Sequence, residues 1–373
     1  MPGGESSRRH LTQINLVRVM AMLGIFLHHT WKGIPHFEEN SFLLKLLVMG
    51  FDFGSLGVVF FNIASGFVLA FPHLGAGGEL PIPDWGRFMK RRFLRIAPPY
   101  YIAILLFTGC NLLVFRQDLL SSLATLLRYA LFLQAFEYST LMTDFASYWY
   151  LSMLAQFYVL FPLVLRLFFR FGPARAFLMV AVVCWGGFEL LDVYVRMHPG
   201  SSLGMADYLV YFNLPARLPE FAAGMWLAAA WKPNPARSRR LPLEGSFVCL
   251  TASAVVFAAV GAPFAAGMHT PVRTVYEAAC CFAGFMALFI PERSASLGAS
   301  RIIARLAAAS YSIYLVHQPI LTYLSGWVPD MASPWARLVL LGAVAAPLCI
   351  GLGISIDRLA ERLTSGRVRF SKI

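Results

Sequence analysis

The run QINLVRVMAMLGIFLHHTWK, residues 13–32, decides how the chain is read. It holds an arginine near its start and a histidine pair near its end, with apolar or small residues between them. At about 1.5 Å of rise per residue, about twenty helical residues cross the hydrocarbon core of a bilayer. The run is therefore read as a first membrane span. Arg18 and His29 are eleven residues apart. Eleven steps of about 100° end within roughly 20° of whole turns, so both side chains leave one helix face, roughly 16 Å apart along the axis. His28 turns about 100° away from His29. An ionisable residue inside a span is costly and faces the protein interior or a wet cavity. The plainer alternative is an ordinary span with a basic flank and a polar flank.

Composition supports the membrane reading. Of 373 residues, 58% are hydrophobic and 13% charged. Soluble domains carry about 25% charged residues, so a soluble enzyme is excluded. A net charge of +12 raises the question of nucleic acid. The basic residues, however, sit in short clusters between apolar runs, which is the positive-inside pattern, and no nucleic-acid partner is expected. Cys110, Cys184, Cys249, Cys280, Cys281 and Cys349 lie in or beside apolar runs without metal-ligand spacing, so they read as small packing residues and no metal is expected.

Residues 1–11 form a polar, basic N-terminus. The first run is too long for a signal-peptide core, and no small-residue cleavage site follows it. A second span over 50–71 carries Ser65 and Gly66, small enough for close helix contact. WGRFMKRRFLRIAPPYY follows, with Arg87, Lys90, Arg91, Arg92 and Arg95 as the densest basic cluster. Arg92 and Arg95, three apart, share a helix face. They read either as a cytoplasmic topology anchor or as a phosphate-binding patch, since arginine forks match phosphate oxygens. Pro98 and Pro99 predict a break, or a helix start, before a span over 96–115. Residues 119–136, interrupted by Arg128 and Gln134, read as an interfacial or re-entrant external segment. Further spans are expected over 148–169, 175–195, 208–231, 246–262, 273–290, 306–327 and 335–356. In the first of these Gln156 is the polar point, and Trp149, Tyr150 and Tyr158 suit an interfacial belt. Arg217 and Glu220 have pairing spacing. Tyr311, Tyr314 and His317 lie at helical spacing, and Pro319 should kink that span. A lone histidine there reads first as a hydrogen-bonded packing residue and second as a catalyst.

The expected architecture is all-α and polytopic, with about ten transmembrane helices and both termini cytoplasmic. A single transmembrane domain would fill 12–356, and a basic cytoplasmic tail 357–373. Of the 31 lysines and arginines, 22 then face the cytoplasm and 8 the outside, with Arg18 inside the first span.

Taken together the motifs resemble the acyltransferase-3 family of integral membrane O-acyltransferases. That family opens with an arginine, ten residues and a histidine, matched here by Arg18 and His29, with Ala21 also in place. Its FF and SGF elements look like Phe60, Phe61 and Ser65, Gly66, Phe67. Its RR-x-x-RI-x-P element looks like Arg91, Arg92, Arg95, Ile96 and Pro98, and its QFY-x-x-x-P element like Gln156, Phe157, Tyr158 and Pro162. R-x-x-EF-x-x-G is matched by Arg217, Glu220, Phe221 and Gly224, and SY-x-x-Y-x-x-H by Ser310, Tyr311, Tyr314 and His317. The resemblance covers nearly the whole chain. There are departures. Two glutamates of the family's W-S-L-S-V-E-E-Q string are Leu154 and Ala155 here, and a polar residue before the FF pair is Val59. Some members add an extracytoplasmic esterase-like domain, which is not expected here.

The resemblance implies transfer of an acyl group, acetyl above all, from cytoplasmic acyl-CoA to a hydroxyl of a carbohydrate-containing acceptor, in a bacterial inner (plasma) membrane. Acetyl-CoA is then a co-substrate, with no permanently bound cofactor, and the partners are acyl-CoA, a glycan acceptor and the lipid bilayer. His29 would be the general base, since its reference pKa near 6.5 suits proton exchange at neutral pH. An acyl-histidine intermediate is the alternative. Arg18 would hold the coenzyme or a carboxylate partner, and Glu220 would pair with Arg217 or orient the histidine. Arg91, Arg92 and Arg95 would take the donor's phosphates, and Ser65, Gln156, Tyr158, Arg217, Tyr311 and His317 would line the substrate sites. The rival from another class is a transporter or flippase of lipid-linked sugars. It would share the spans and buried charges, but would not need the histidine at this spacing or the arginine pair.

Overall fold

The computed structural model describes residues 3–32, 54–74, 80–137, 145–198, 210–231, 270–289, 292–327 and 334–364. The span expected over 246–262, the loop at 232–240 and the end of the tail lie outside them. All regular structure among the described residues is helical: α1 (Gly3–Lys32), α2 (Gly57–Leu74), α3 (Trp85–Leu113), α4 (Leu119–Ala130), α5 (Trp149–Phe171), α6 (Pro173–Met197), α7 (Leu214–Ala230), α8 (Thr270–Phe289), α9 (Glu292–Ala299), α10 (Arg301–Trp327) and α11 (Pro334–Thr364). Five of them are long and apolar enough to cross a membrane: α2, α3, α5 with its lead-in turn, α6 and α11. The chain folds as two compact units.

The first unit comprises 1–28, 36–82 and 160–308. On α1 the buried positions Ile14, Val17, Ala21 and Ile25 recur every three or four residues, while Met20, Leu23 and Leu27 form an exposed apolar stripe. The heart of the unit is the crossing of α2 and α7. A Cβ on Gly66 would strike the Phe221 carbonyl, and one on Gly224 would strike the Ile63 carbonyl. Two glycines thus let two backbones touch, the usual device where no hydrophobic effect drives helices together in lipid. The crossing sets Asn62 and Glu220, each four residues ahead of its glycine, within reach of one another. Trp185 Nε1 ties α6 to α7 by donating to the Ala216 carbonyl at 3.0 Å. Asn15 Nδ2 donates at 3.1 Å to the Gly298 carbonyl, one of the acceptors left over in the last turn of α9. Between α5 and α6 a single residue, Gly172 at φ +81°, interrupts the helix, and Pro173 opens the next one. The outward side chains of α6, among them Leu178, Val182, Val183 and Leu190, are exposed and apolar.

The second unit comprises 29–35, 83–159 and 309–373. Asp84 caps α3 by accepting the Arg87 N–H at 2.9 Å, and Asp118 caps α4 through the Ser121 N–H at 2.9 Å. The end of α4 is closed from α3: Tyr100 and Tyr101 donate their hydroxyls to the carbonyls of Tyr129 (2.7 Å) and Ala130 (3.0 Å). At twelve residues α4 is too short to span. Its Leu119, Leu120, Leu123 and Leu127 are exposed.

Two expectations are corrected. Pro98 and Pro99 do not break the chain, because α3 runs through both. The carbonyls they release are those of Leu94, half-buried, and Arg95, exposed, in the basic first third of the helix. Tyr150 and Tyr158 do not form an interfacial belt. Both are buried, Tyr150 against Tyr314 with ring centroids 5.5 Å apart and Tyr158 edge-on to Phe88 at 6.2 Å. Pro319 lies inside α10. It supplies no N–H to the Leu315 carbonyl, and the Tyr148 hydroxyl donates there instead.

Candidate active site

The candidate residues fall into one group in each unit. In the second unit, His29 occupies the last turn of α1. Its Nδ1 lies 3.3 Å from Nε2 of His317, and the two rings meet edge to face at 4.9 Å between centroids. His317 is 2% exposed, and its Nδ1 donates to the Tyr314 carbonyl. The Tyr314 hydroxyl donates to the Ser147 carbonyl at 2.6 Å, and the Ser147 N–H donates to Gln318 Oε1. The α10 turn that carries His317 is thus fastened on three sides, by Tyr314, by Gln318 and by Tyr148 on Leu315.

The basic cluster belongs to the same unit. Arg92 is half-buried with its guanidinium 5.4 Å over the Phe88 ring, and Phe88 is in turn steadied by Tyr158. Its Nε has no hydrogen-bond partner among the described residues. Arg95 is exposed one turn on. Arg91 turns back along its own helix, its Nε donating to the Arg87 carbonyl at 3.4 Å. Tyr311 donates its hydroxyl to the Ile96 carbonyl at 2.9 Å, which joins α10 to α3 next to the arginines. Gln156 is half-buried on α5. Arg92 Nε, unmatched among the described residues, and the exposed Arg95 one turn on form an arrangement suited to an anion.

In the first unit, Arg18 is half-buried on α1, and Ser65 is half-buried beside Gly66. Arg217 and Glu220 are buried and paired, Nη1 to Oε1 at 2.8 Å. The second carboxylate oxygen of Glu220 accepts from Asn62 Nδ2 at 2.6 Å. Arg217 also donates from Nε to the Tyr211 carbonyl at 3.2 Å and lies 4.2 Å over the Tyr211 ring. Glu277 of α8, also buried, lies within electrostatic reach of both partners. A buried ion pair is tolerated only when its remaining donors and acceptors are met, and here both carboxylate oxygens are. Of the two roles open to Glu220, the structure shows the pairing with Arg217.

Asn62, Tyr211 and Glu277 were not among the expected site residues. Asn62 had a visible signal as the one amide in GVVFFNIASGFVLAF, and Glu277 as the one acid in TVYEAACCFAGF. Tyr211 had none. Among the described residues, no cluster of three or more histidine, cysteine, aspartate or glutamate side chains is placed to hold a metal ion.

Comparison with known proteins bears on this arrangement. The sequence model of the acyltransferase-3 family, described as an acyltransferase domain, matches residues 11–354. The chain is similar to O-acetyltransferase OatA of Staphylococcus aureus (strain NCTC 8325 / PS 47), 23% identical over 341 residues that cover 86% of this chain and 52% of the relative. It is also similar to the putative peptidoglycan O-acetyltransferase YrhL of Bacillus subtilis (strain 168), 25% identical over 311 residues, 75% of this chain and 46% of the relative. The chain thus spans about half the length of these curated relatives. No solved structure matches it. With a match that runs from residue 11, seven positions ahead of Arg18, to residue 354 in α11, the chain belongs to the acyltransferase-3 family.

Proposed function

We propose that the protein is a membrane O-acyltransferase that moves an acetyl group from cytoplasmic acetyl-CoA to a carbohydrate hydroxyl, with His29 as general base. The observation that carries this reading is the family match over 11–354. The names of the two relatives supply the acetyl group, and that of the Bacillus relative supplies a cell-wall glycan as acceptor class. A bacterial inner membrane with both termini in the cytoplasm suits a cytoplasmic donor and a glycan acceptor. The charge distribution, 22 lysines and arginines against 8, supports that orientation.

The chemistry is a single acyl transfer. His29 takes the proton of the acceptor hydroxyl as its oxygen attacks the thioester carbonyl carbon. The C–O bond forms, the C–S bond breaks, and the departing thiolate takes the proton back from His29 to leave as coenzyme A. Arg92 and Arg95 receive the coenzyme's phosphates, with Arg92 held in place by Phe88. The buried Arg217–Glu220–Asn62 group braces the α2–α7 crossing.

The test is transfer of labelled acetyl from acetyl-CoA to peptidoglycan fragments by the purified full chain in proteoliposomes. His29→Ala should insert normally and lose about 10²–10⁴ in rate, the usual worth of a general base. His28→Ala, on another face of α1, should stay within a few-fold of wild type. Transfer that survives in His29→Ala and is lost in His28→Ala would refute the assignment.

A further inference from the structure

We propose that His317 is a positioning residue that fixes the tautomer of His29 and so places the basic lone pair on His29 Nε2. The proposal rests on the reading of His29 as the base and adds to it the atom that acts and the group that selects it.

The inference follows from counting protons. A backbone carbonyl oxygen can only accept, so the bond between His317 Nδ1 and the Tyr314 carbonyl requires the proton to sit on Nδ1. A neutral imidazole has one N–H, so His317 Nε2 is then an acceptor. It faces His29 Nδ1 at 3.3 Å, and the proton between them must belong to His29 Nδ1. The same count leaves the lone pair of neutral His29 on Nε2. Among the bonds described, the Tyr314 carbonyl thus sets the direction of both rings.

The support for this relay is unusually stiff. Tyr314 and His317 share one turn of α10, and Tyr314, Gln318 and the Leu315 carbonyl each bond the 147–148 segment. At 2% exposure, water has little access to His317. A base held to within about half an ångström by such contacts needs no reorientation when it acts. When His29 Nε2 takes a proton, its Nδ1–H already points at an acceptor, so the new imidazolium is met by an aligned dipole. A carboxylate does this in hydrolase triads. Here the same post is held by a neutral ring, which avoids burying a second charge inside a membrane protein.

The experiment compares His317→Gln with His317→Leu in the full chain, in the same proteoliposomes with acetyl-CoA and peptidoglycan fragments. Glutamine can return an acceptor close to the position of Nε2, whereas leucine fills similar space without one. Denying a catalytic histidine its correct tautomer costs about 10⁴ in kcat in a serine protease, and a neutral acceptor should count for less, so His317→Leu is expected to lose about 10²-fold in kcat. The KM for acetyl-CoA should not move, and His317→Gln should recover to within a few-fold of wild type. Nitrogen-15 NMR of histidine-labelled protein, with His29→Ala to assign the signals, should show His29 protonated on Nδ1 in wild type and not held there in His317→Leu. Equal kcat in the Leu and Gln variants, whether both high or both low, would overturn the proposal. So would a wild-type His29 protonated on Nε2. If His29→Ala retains transfer, the base reading itself fails. If His29→Ala is inactive while His317→Leu matches wild type, only the positioning role fails.

Discussion

Replacing Glu220 with leucine should destabilise the protein far more than replacing Glu220 and Arg217 together. Each Glu220 oxygen has one close partner, Arg217 Nη1 at 2.8 Å and Asn62 Nδ2 at 2.6 Å, and the two charged residues are 1% and 3% exposed. Removing the carboxylate alone strands a buried guanidinium, a change that costs about 3–5 kcal/mol. Asn62→Leu takes away one hydrogen bond to a charged group and should cost about 1.5–3 kcal/mol. The double Arg217→Leu/Glu220→Leu variant removes both charges of the pair, and replacement of a buried pair by apolar side chains is often neutral or stabilising, but it leaves the Asn62 amide short of one acceptor and buried Glu277 short of the Arg217 charge. Thermal melting of the detergent-purified protein, followed by the loss of its monodisperse peak in size-exclusion chromatography, should therefore rank wild type highest, Asn62→Leu and the double variant next and Glu220→Leu lowest. Thermodynamic coupling of this sign is what a double-mutant cycle detects. A double variant that melts below Glu220→Leu would refute the reasoning, since the pair would then contribute more than the desolvation it incurs.

Three further outcomes are expected. Arg92→Ala with Arg95→Ala should raise the KM for acetyl-CoA at least tenfold, each lost charge-assisted contact being worth about 1.5–3 kcal/mol, and unchanged donor affinity would reduce the pair to topology anchors. Cysteines placed at Lys90 and Ala236 should resist an impermeant thiol reagent in intact cells, and ready labelling at either would overturn the proposed orientation. Gly66→Leu should impair accumulation of folded protein, because its side chain would occupy the place of the Phe221 carbonyl, and normal melting of that variant would mean the α2–α7 crossing is looser than described.

The Arg18–His29 spacing was legible because it depends only on an unbroken helix, and α1 is unbroken from Gly3 to Lys32. The Arg217–Glu220 pair was legible for the same reason, since three residues is a local distance. Failures came where tertiary surroundings override local rules. Pro98 and Pro99 would end a helix in water, but α3 runs through both. Tyr150 and Tyr158 have the composition of an interfacial belt, and only packing against Tyr314 and Phe88 shows them to be interior. His317 was legible as a buried, hydrogen-bonded histidine, but its partner His29 was not, because it lies 288 positions away, a separation that no periodicity spans. Asn62 was visible in the sequence but silent about its purpose until the glycine crossing brought Glu220 to it.

Pro319 also bears on how this protein should be engineered. A stabilisation campaign would mark a proline in the middle of a helix as its first target and replace it with alanine. In α10 that change would hand an amide proton to the Leu315 carbonyl, in competition with the Tyr148 hydroxyl that donates there. The helix would gain a rung and lose a moored phenol, two residues away from the imidazole of His317. A variant with a higher melting point and a slack His317 is the expected product, so the irregularity is better treated as a fixture than as a flaw.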